Sequence, residues 1–345
     1  MQISTLANYA DDPVQIAAQV KQLEDAGVDM VWIAEAYGFD GVSLLGYLAA
    51  ATDTITLASG ILNVYSRTPA CLAQTAAGLD SISGGRFELG LGASGPQVIE
   101  GFHGMPYKLP LTRMKEVIEI CRMTWRRDRL VYDGKAFTLP LPPEEGTGLG
   151  KPLKMINHPK RADIPVHIAS LGDKSVEATA ELAHGWLPFM FMPERADRVW
   201  GDALAAGLAK RSPDLGEFQI AAGGMLAIGD DAAKYREYGR PMSALYIGGM
   251  GAKGKNFYNE LACRYGFEEA AAEIQDLYLD GHKDEAAAKV PDEMLEGGSM
   301  CGDPGYIADR VAAFKEAGVT NLMVTPVGGD PAELLGQLRE IVDAV

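Results

Sequence analysis

Short apolar runs recur along the chain, and after most of them comes a stretch whose apolar positions return every three to four residues. The first pattern fits strands buried on both faces, and the second fits amphipathic helices lying against them. Strands are expected at residues 2–7, 28–34, 55–61, 87–91, 166–169, 186–190, 218–227 and 322–325. Helices are expected at 13–26, 70–82, 112–125, 174–183, 193–210, 306–317 and 332–345, with Gly27 placed to end the first. Strands alternating with helices across short Gly or Pro breaks predict an α/β chain, with parallel strands closing into a (β/α)8 TIM barrel of one domain, 1–345.

Two segments break the repeat. Residues 129–164, rich in Pro and Gly, contain LVYDGKAFTL at 130–139, which reads as a hairpin turning at Asp133-Gly134. Residues 229–304 form a longer, charged, helix-rich insertion between the seventh and eighth strands. Insertions that follow barrel strands lie on the C-terminal face, where catalytic groups are assembled.

Charge narrows the partners. A formal net charge of −16 gives no counterion-release gain with nucleic acid and no attraction to an anionic membrane. Any phosphate must then be met by locally placed cations or by backbone N–H groups. The opening residues Met1 to Leu6 have no basic region ahead of a long apolar run, so they read as a first strand and not as a signal peptide. No stretch is apolar enough to span a bilayer. Cys71, Cys121, Cys263 and Cys301 are scattered without C-x-x-C spacing, which fits small buried hydrophobes in a reduced, cytoplasmic protein. His103, His158, His167, His184 and His282 lack the spacing of a zinc site, and no metal is expected.

The chemistry concentrates at two strand ends, LASGILNVYSRTP at 57–69 and SGGRFELGLGASG at 83–95. Gly60 removes a Cβ where a flat ligand could approach, and Asn63, Tyr65, Ser66 and Arg67 supply polar groups just beyond. Gly90, Gly92 and Gly95 leave the second strand end bare as well. Glu35 closes the apolar second strand, so it stands at the barrel mouth, as a hydrogen-bond acceptor, an acid or base, or an ion-pair partner. Tyr37 then donates to substrate or caps the pocket. In ASLGDKSV at 169–176 the small Ser170, Gly172 and Ser175 leave helix N–H donors free for an anion, unless Asp173 or Ser175 caps the helix. Lys174 adds a charge there or faces solvent. Trp186, Met190, Phe191, Tyr246 and Met250 either wall a substrate pocket or belong to the core. The glycines of YIGGMG at 246–251 suit a lid.

Residues 60–69 and 83–92, together with IGGMG at 247–251, KNFY at 255–258 and IQDLY at 274–278, resemble the luciferase-like superfamily. The likeness lies in the branch that uses the deazaflavin coenzyme F420, near methylenetetrahydromethanopterin reductase and its bacterial relatives. It implies a luciferase-like TIM barrel with a helical insertion, hydride transfer at deazaflavin C5, and a homodimer. It also implies a non-prolyl cis peptide at Gly60-Ile61 beneath the ring. The cofactor-binding set so implied is Glu35, Gly60, Ile61, Asn63, Gly92, Ala93, Ser94, Gly95, Ser170, Leu171, Gly172 and Ser175, with Glu35 and Tyr37 as catalytic residues. Tyr65, Arg67, Trp186, Met190, Tyr246 and Met250 would face a small-molecule substrate. Arg67 and Arg113 are candidates for the coenzyme's oligoglutamate tail or for an acidic substrate group.

Departures limit the likeness. F420-dependent glucose-6-phosphate dehydrogenases have a His after the acid, where this chain has Ala36, and a Glu in the loop that here reads Ala93-Ser-Gly95. The methanogenic reductase tends to have an acid where Ser94 stands. The alternatives are an FMN-dependent luciferase-like monooxygenase and a catalytically silent deazaflavin-binding protein.

Overall fold

The computed structural model describes residues 1–7 and 11–345. In chain order the strands are β1 (Gln2–Leu6), β2 (Met30–Ile33), β3 (Thr56–Ser59), β4 (Leu62–Asn63), β5 (Phe87–Gly92), β6 (Tyr132–Asp133) and β7 (Thr138–Leu139). They continue as β8 (Val166–Ala169), β9 (Gly185–Leu187), β10 (Gln219–Ala222), β11 (Met225–Ile228), β12 (Ser299–Gly302) and β13 (Asn321–Pro326). Strands β1, β2, β3, β5, β8, β9, β10 and β13 neighbour one another in that order, all parallel, and β13 pairs back onto β1 with Gln2 opposite Asn321. The result is an eight-stranded parallel TIM barrel.

The first seven helices are α1 (Pro13–Asp25), α2 (Gly41–Ala51), α3 (Pro69–Ile82), α4 (Pro96–Gly101), α5 (Pro110–Trp125), α6 (Asp173–Leu182) and α7 (Pro193–Leu208). The insertion carries α8 (Gly239–Ala244), α9 (Phe257–Arg264), α10 (Glu268–Leu279), α11 (Lys283–Ala288) and α12 (Asp292–Gly297), and α13 (Pro304–Glu316) and α14 (Pro331–Ala344) follow. A repeated local device starts several of them. Asp12, Thr68, Asp303 and Asp330 each accept a backbone N–H of the first turn, and Pro at the first helical position needs no partner of its own.

Several elements differ from the sequence reading. The strand expected at 218–227 divides at Gly223-Gly224, because a Cβ there would lie 2.3 Å from the Met323 carbonyl oxygen and 1.9 Å from that of Gly298. Bare backbone lets β10 stay in the barrel while β11 leaves it to pair with β12, a strand not foreseen inside the insertion. The strand at 186–190 ends at Leu187. Helix α2, also unforeseen, is capped by Asp40 through the Ser43 N–H and buries Leu45, Leu48 and Ala49. The hairpin at 129–164 is present as the antiparallel pair β6–β7, with Tyr132 opposite Leu139. Its turn is longer than two residues, and buried Glu116 accepts the N–H groups of Lys135, Ala136 and Phe137.

The lumen has its own small core of Met30, Trp32, Ala58, Leu187 and Ala221, topped by Ile61, Ala169 and Met323. Polar groups inside it are paired, as burial favours, with His167 Nδ1 the exception. Trp32 Nε1 donates to Ser4 Oγ at 3.0 Å, Ser4 Oγ donates to Asn321 Oδ1 at 2.6 Å, and His167 Nε2 meets Glu88 Oε2 at 2.5 Å. In register, His167 lies between Gly90 and Gly185. A Cβ at 185 would come within 2.3 Å of His167 Nδ1, so that glycine makes room for the imidazole. Among the described residues no helix is long and apolar enough to cross a membrane, and no group of His, Cys, Asp or Glu is placed to hold a metal.

Candidate active site

The site is built on the C-terminal ends of β2, β3, β5 and β8. After β3 the Gly60–Ile61 peptide is cis, and the chain rejoins the sheet as β4, with Leu62 opposite Leu91 and Asn63 opposite Gly92. The glycines here have a packing role besides the space for a ligand that their pattern suggested. A Cβ on Gly90 would lie 1.8 Å from the Ser59 carbonyl oxygen, and one on Gly92 would lie 2.8 Å from Ile61 Cδ1. Both let the rejoining segment sit tightly on β5. Gly60 is shielded by Trp32, whose Cβ would be 3.1 Å away. Gly95 differs, since nothing lies within 4 Å of its Cβ position. Ala93 is half-buried, and Ser94 adopts a left-handed conformation (φ 57°) with its carbonyl accepting the Tyr107 hydroxyl at 3.1 Å.

Glu35 is an ion-pair partner. Arg67 Nη1 donates to Oε1 at 2.6 Å and Nη2 to Oε2 at 2.8 Å, and the Gly41 N–H reaches Oε2 at 2.9 Å. The side chains are 8% and 17% exposed, so the pair is largely desolvated. The hydrogen bond to Glu35 drives the Arg67 pKa above its already high value, with burial opposing it. Such a fork fixes both groups and leaves the carboxylate an acceptor. Arg67 therefore faces Glu35, where a free substrate contact was expected. Tyr37 stands exposed on the rim, its ring 6.4 Å from that of Phe102.

Asn63 shapes the next turn. Its Oδ1 accepts the N–H groups of Tyr65 at 3.0 Å and Ser66 at 2.7 Å, so its Nδ2 is the atom that faces His103 Nε2 at 3.4 Å. Nε2 is then the acceptor, and a neutral His103 carries its proton on Nδ1. Sequence reasoning passed over His103, whose 40-residue separation from Asn63 gives no local signal. Tyr65 is buried, donates to the Lys108 carbonyl at 2.9 Å and stacks on Tyr107, with centroids 5.3 Å apart. Burial pushes the Tyr107 hydroxyl up to about 12, with Tyr65 adding to the rise.

Across the mouth, Phe189, Tyr246 and Tyr258 form a second aromatic group, with centroids 4.4 Å apart for Phe189 and Tyr246 and 4.7 Å for the two tyrosines. Burial pushes Tyr258 up to about 12 as well, with Tyr246 and Tyr107 adding to the rise. Phe189 and Tyr258 were not singled out from sequence. The segment 246–251 is not an open lid. Leu245–Gly249 is a turn of π-helix in which Cβ atoms on Gly248 and Gly249 would each lie 2.4 Å from the Tyr278 side chain. Asn256 Nδ2 holds the carbonyls of Tyr246 and Ile247 at 2.8 and 2.9 Å. Met250 remains exposed, while Met190 is half-buried with its carbonyl accepting the Tyr265 hydroxyl at 2.9 Å.

Trp186 and Phe191 are core residues and not pocket walls. Both are buried and pack on Trp200, Trp186 edge-on at 5.0 Å and Phe191 stacked at 5.9 Å. It is Leu187, one residue on, that enters the lumen.

The loop after β8 meets the expectation of an open helix terminus. Neither Asp173 nor Ser175 caps α6. Gly172 occupies the N-cap position without a side-chain hydrogen bond and is exposed. The surrounding loop is pinned, with Trp186 Nε1 donating to the Ser170 carbonyl and Trp200 Nε1 to the Leu171 carbonyl, each at 2.8 Å. Ser170 Oγ pairs with Thr179, and Ser175 Oγ donates to the Gly172 carbonyl at 2.7 Å. Asp173 is drawn aside by Arg264 at 2.6 Å, and Lys174 lines a groove between α6 and α7 with Arg198 and Asp202. Because Ala169 lies opposite Gly92 in register, this terminus adjoins the β5 end.

Residues 2–321 match the family model of the luciferase-like monooxygenases. The chain is 40% identical over 320 residues, 92% of each protein, to a Mycobacterium tuberculosis protein named "Putative coenzyme F420-dependent oxidoreductase Rv3520c". It is 30% identical to the 5,10-methylenetetrahydromethanopterin reductase of Archaeoglobus fulgidus over 90% of this chain and 89% of that one. The solved coenzyme F420 dependent tetrahydromethanopterin reductase from Methanopyrus kandleri superposes with a TM-score of 0.80 at 26% identity, over 98% of this chain and 97% of that one. With its closed parallel barrel and a family match that spans nearly its whole length, the chain belongs to the luciferase-like monooxygenase family.

Proposed function

We propose that the protein is a coenzyme F420-dependent oxidoreductase that moves a hydride between deazaflavin C5 and a small or medium organic substrate. The observation that carries this reading is the uncapped α6 N-terminus adjoining small strand ends at Ala93 and Ala169. A flat ring needs strand ends without bulk, and a phosphate needs unclaimed N–H donors, so the residues fit such a coenzyme. The relative named for coenzyme F420 adds support.

In this reading Ile61, Ala93 and Ala169 lie against the ring, and the backbone at Gly172 receives the phosphate. Bound there, a reduced deazaflavin supplies a hydride and is a poor partner for oxygen. Glu35 acts as a fixed acceptor for a ring N–H, because its bidentate pair with Arg67 holds the carboxyl group in place. The stacked Tyr65 and Tyr107 and the Phe189 group shed water from the mouth. Hydride addition to a double bond leaves one atom in need of a proton. His103, beside Asn63 at this rim, is the group suited to give it, from the imidazolium and not from the neutral ring, whose N–H is too weak an acid.

Titration of the apo-protein with F420 and with FMN tests the reading. Saturable F420 binding, at least about tenfold tighter than FMN, with hydride exchange on some member of a substrate panel, is the expected result. Preferential FMN binding would transfer the protein to the monooxygenase reading, and tight F420 binding without any exchange would make it a silent carrier.

A further inference from the structure

Most arginines of this chain are held by carboxylates or carbonyls, but among the described residues Arg113 has neither. It stands in the first turn of α5, where that helix leaves the barrel mouth. Its guanidinium carbon lies 4.7 Å from the Tyr65 ring centroid and 4.5 Å from that of Phe137, and its Nε is buried without a hydrogen-bond partner. Arg113 as a whole is half-buried, and contact with two rings offsets only part of what the buried Nε loses on leaving water.

The nearby acceptors are already used. Glu116, one turn further along α5, spends its carboxylate on the N–H groups of residues 135–137 and so fixes Phe137 over Arg113. The Tyr65 hydroxyl is given to the Lys108 carbonyl. The surrounding protein thus positions a cation and leaves it unanswered. The rest of the mouth is aromatic, with the Tyr65–Tyr107 stack on one side and the Phe189, Tyr246 and Tyr258 rings on the other.

We infer that Arg113 is an anion-recognition site. The mouth takes a ligand with a flat apolar body against these rings and a single carboxylate or phosphate on the guanidinium. The inference deepens the proposed function by naming the ligand class, and it rests on that reading only for where the anion comes from. One source is the substrate; the other is the coenzyme's acidic tail.

Calorimetry on the apo-protein separates them, using naphthalene-2-carboxylate, its neutral amide, and F420 with and without its oligoglutamate tail. Each is measured on wild type, Arg113→Met and Arg113→Lys. If the substrate supplies the anion, Arg113→Met weakens the carboxylate about tenfold or more, leaves the amide within about twofold, and Arg113→Lys recovers part of the loss. If the coenzyme supplies it, the same loss falls on tailed F420 and spares the tail-free form. Equal loss on charged and uncharged partners overturns the inference and makes Arg113 a packing residue. Should Arg113→Met fail to fold by circular dichroism, the wild type decides. A preference for the charged partner that shrinks with added salt supports the site, and no preference overturns it. Failure of either form of F420 to bind wild type would sink the coenzyme reading while the naphthalene comparison stands.

Discussion

Glu35→Gln is the perturbation that most directly separates a held carboxylate from a catalytic acid. In the structure both Glu35 oxygens are engaged, by Arg67 at 2.6 and 2.8 Å and by the Gly41 N–H at 2.9 Å. Glutamine keeps one acceptor but turns an NH2 toward a guanidinium that is only 17% exposed. Removing one partner of a buried pair costs about 3–5 kcal/mol. Here water reaches Arg67 at the rim and one hydrogen bond survives, so a loss of about 2 kcal/mol is expected. With an unfolding entropy of about 2.1 cal/mol/K per residue, a chain of 345 residues loses about 3 °C in Tm. Differential scanning calorimetry on Glu35→Gln, Arg67→Met and the double variant measures the coupling, which should be about 1.5–2 kcal/mol. Coenzyme affinity should fall with it, while turnover at saturating coenzyme stays within about tenfold, well short of the 10²–10⁴ that general acid–base catalysis supplies. An unchanged Tm together with abolished turnover would refute the reasoning, because it would mean that the pair is not formed and Glu35 itself handles the proton.

Two further outcomes follow from buried carboxylates elsewhere. Glu116→Ala leaves three backbone N–H groups of the 134–137 turn without their acceptor and should cost about 2–4 kcal/mol; faster amide exchange at Lys135, Ala136 and Phe137 and earlier proteolytic cleavage within 129–164 would register it. Glu88 resists ionisation through burial, but the hydrogen bond and charge of His167 outweigh this and hold its pKa below the ordinary value. A depressed carboxyl stabilises the fold above its unfolded pKa of about 4.3, and that contribution is lost as pH falls through the folded value. Glu88→Gln should therefore flatten the acid limb of a pH–Tm profile, and a limb as steep as in wild type would count against the buried pair.

The barrel was legible because strands buried on both faces stand out as continuous apolar runs, and seven of its helices carry a polar face. Helix α2 escaped because GVSLLGYLAAA is apolar nearly all round and offers no period to read. In the same way, a run apolar on both faces hides its own parity. Trp186 looked as available to the pocket as Leu187, and only the register with β8 and β10 turns Trp186 outward. The candidate residues near strand ends were singled out, but their partners were not. Glu35 and Arg67 are 32 positions apart, Tyr107 stacks on Tyr65 from a separate loop, and the Phe189 group assembles from the β9 end and the insertion. Such pairings arise from closure of the barrel and leave no trace in local sequence.

The glycines combine a packing reason with the ligand reason their pattern suggested, and substitution can separate the two. At Gly90 a methyl group would meet the Ser59 carbonyl oxygen at 1.8 Å, and that backbone is held by the Ser59 hydroxyl bonding both the N–H and the carbonyl of Gly90. Gly90→Ala should thus cost about 3 kcal/mol or more, since neither strand can yield. At Gly92 the obstacle is the tip of the Ile61 side chain, at 2.8 and 2.9 Å, which can rotate away. Gly92→Ala should fold and instead displace Ile61, weakening coenzyme binding while the melting temperature moves little. At Gly95 the space is open and φ is −105°, so alanine fits the backbone and tests only whether a ligand lies there. Stable Gly92→Ala and Gly95→Ala proteins that bind F420 as wild type does would mean that the ring lies elsewhere, even with the barrel intact.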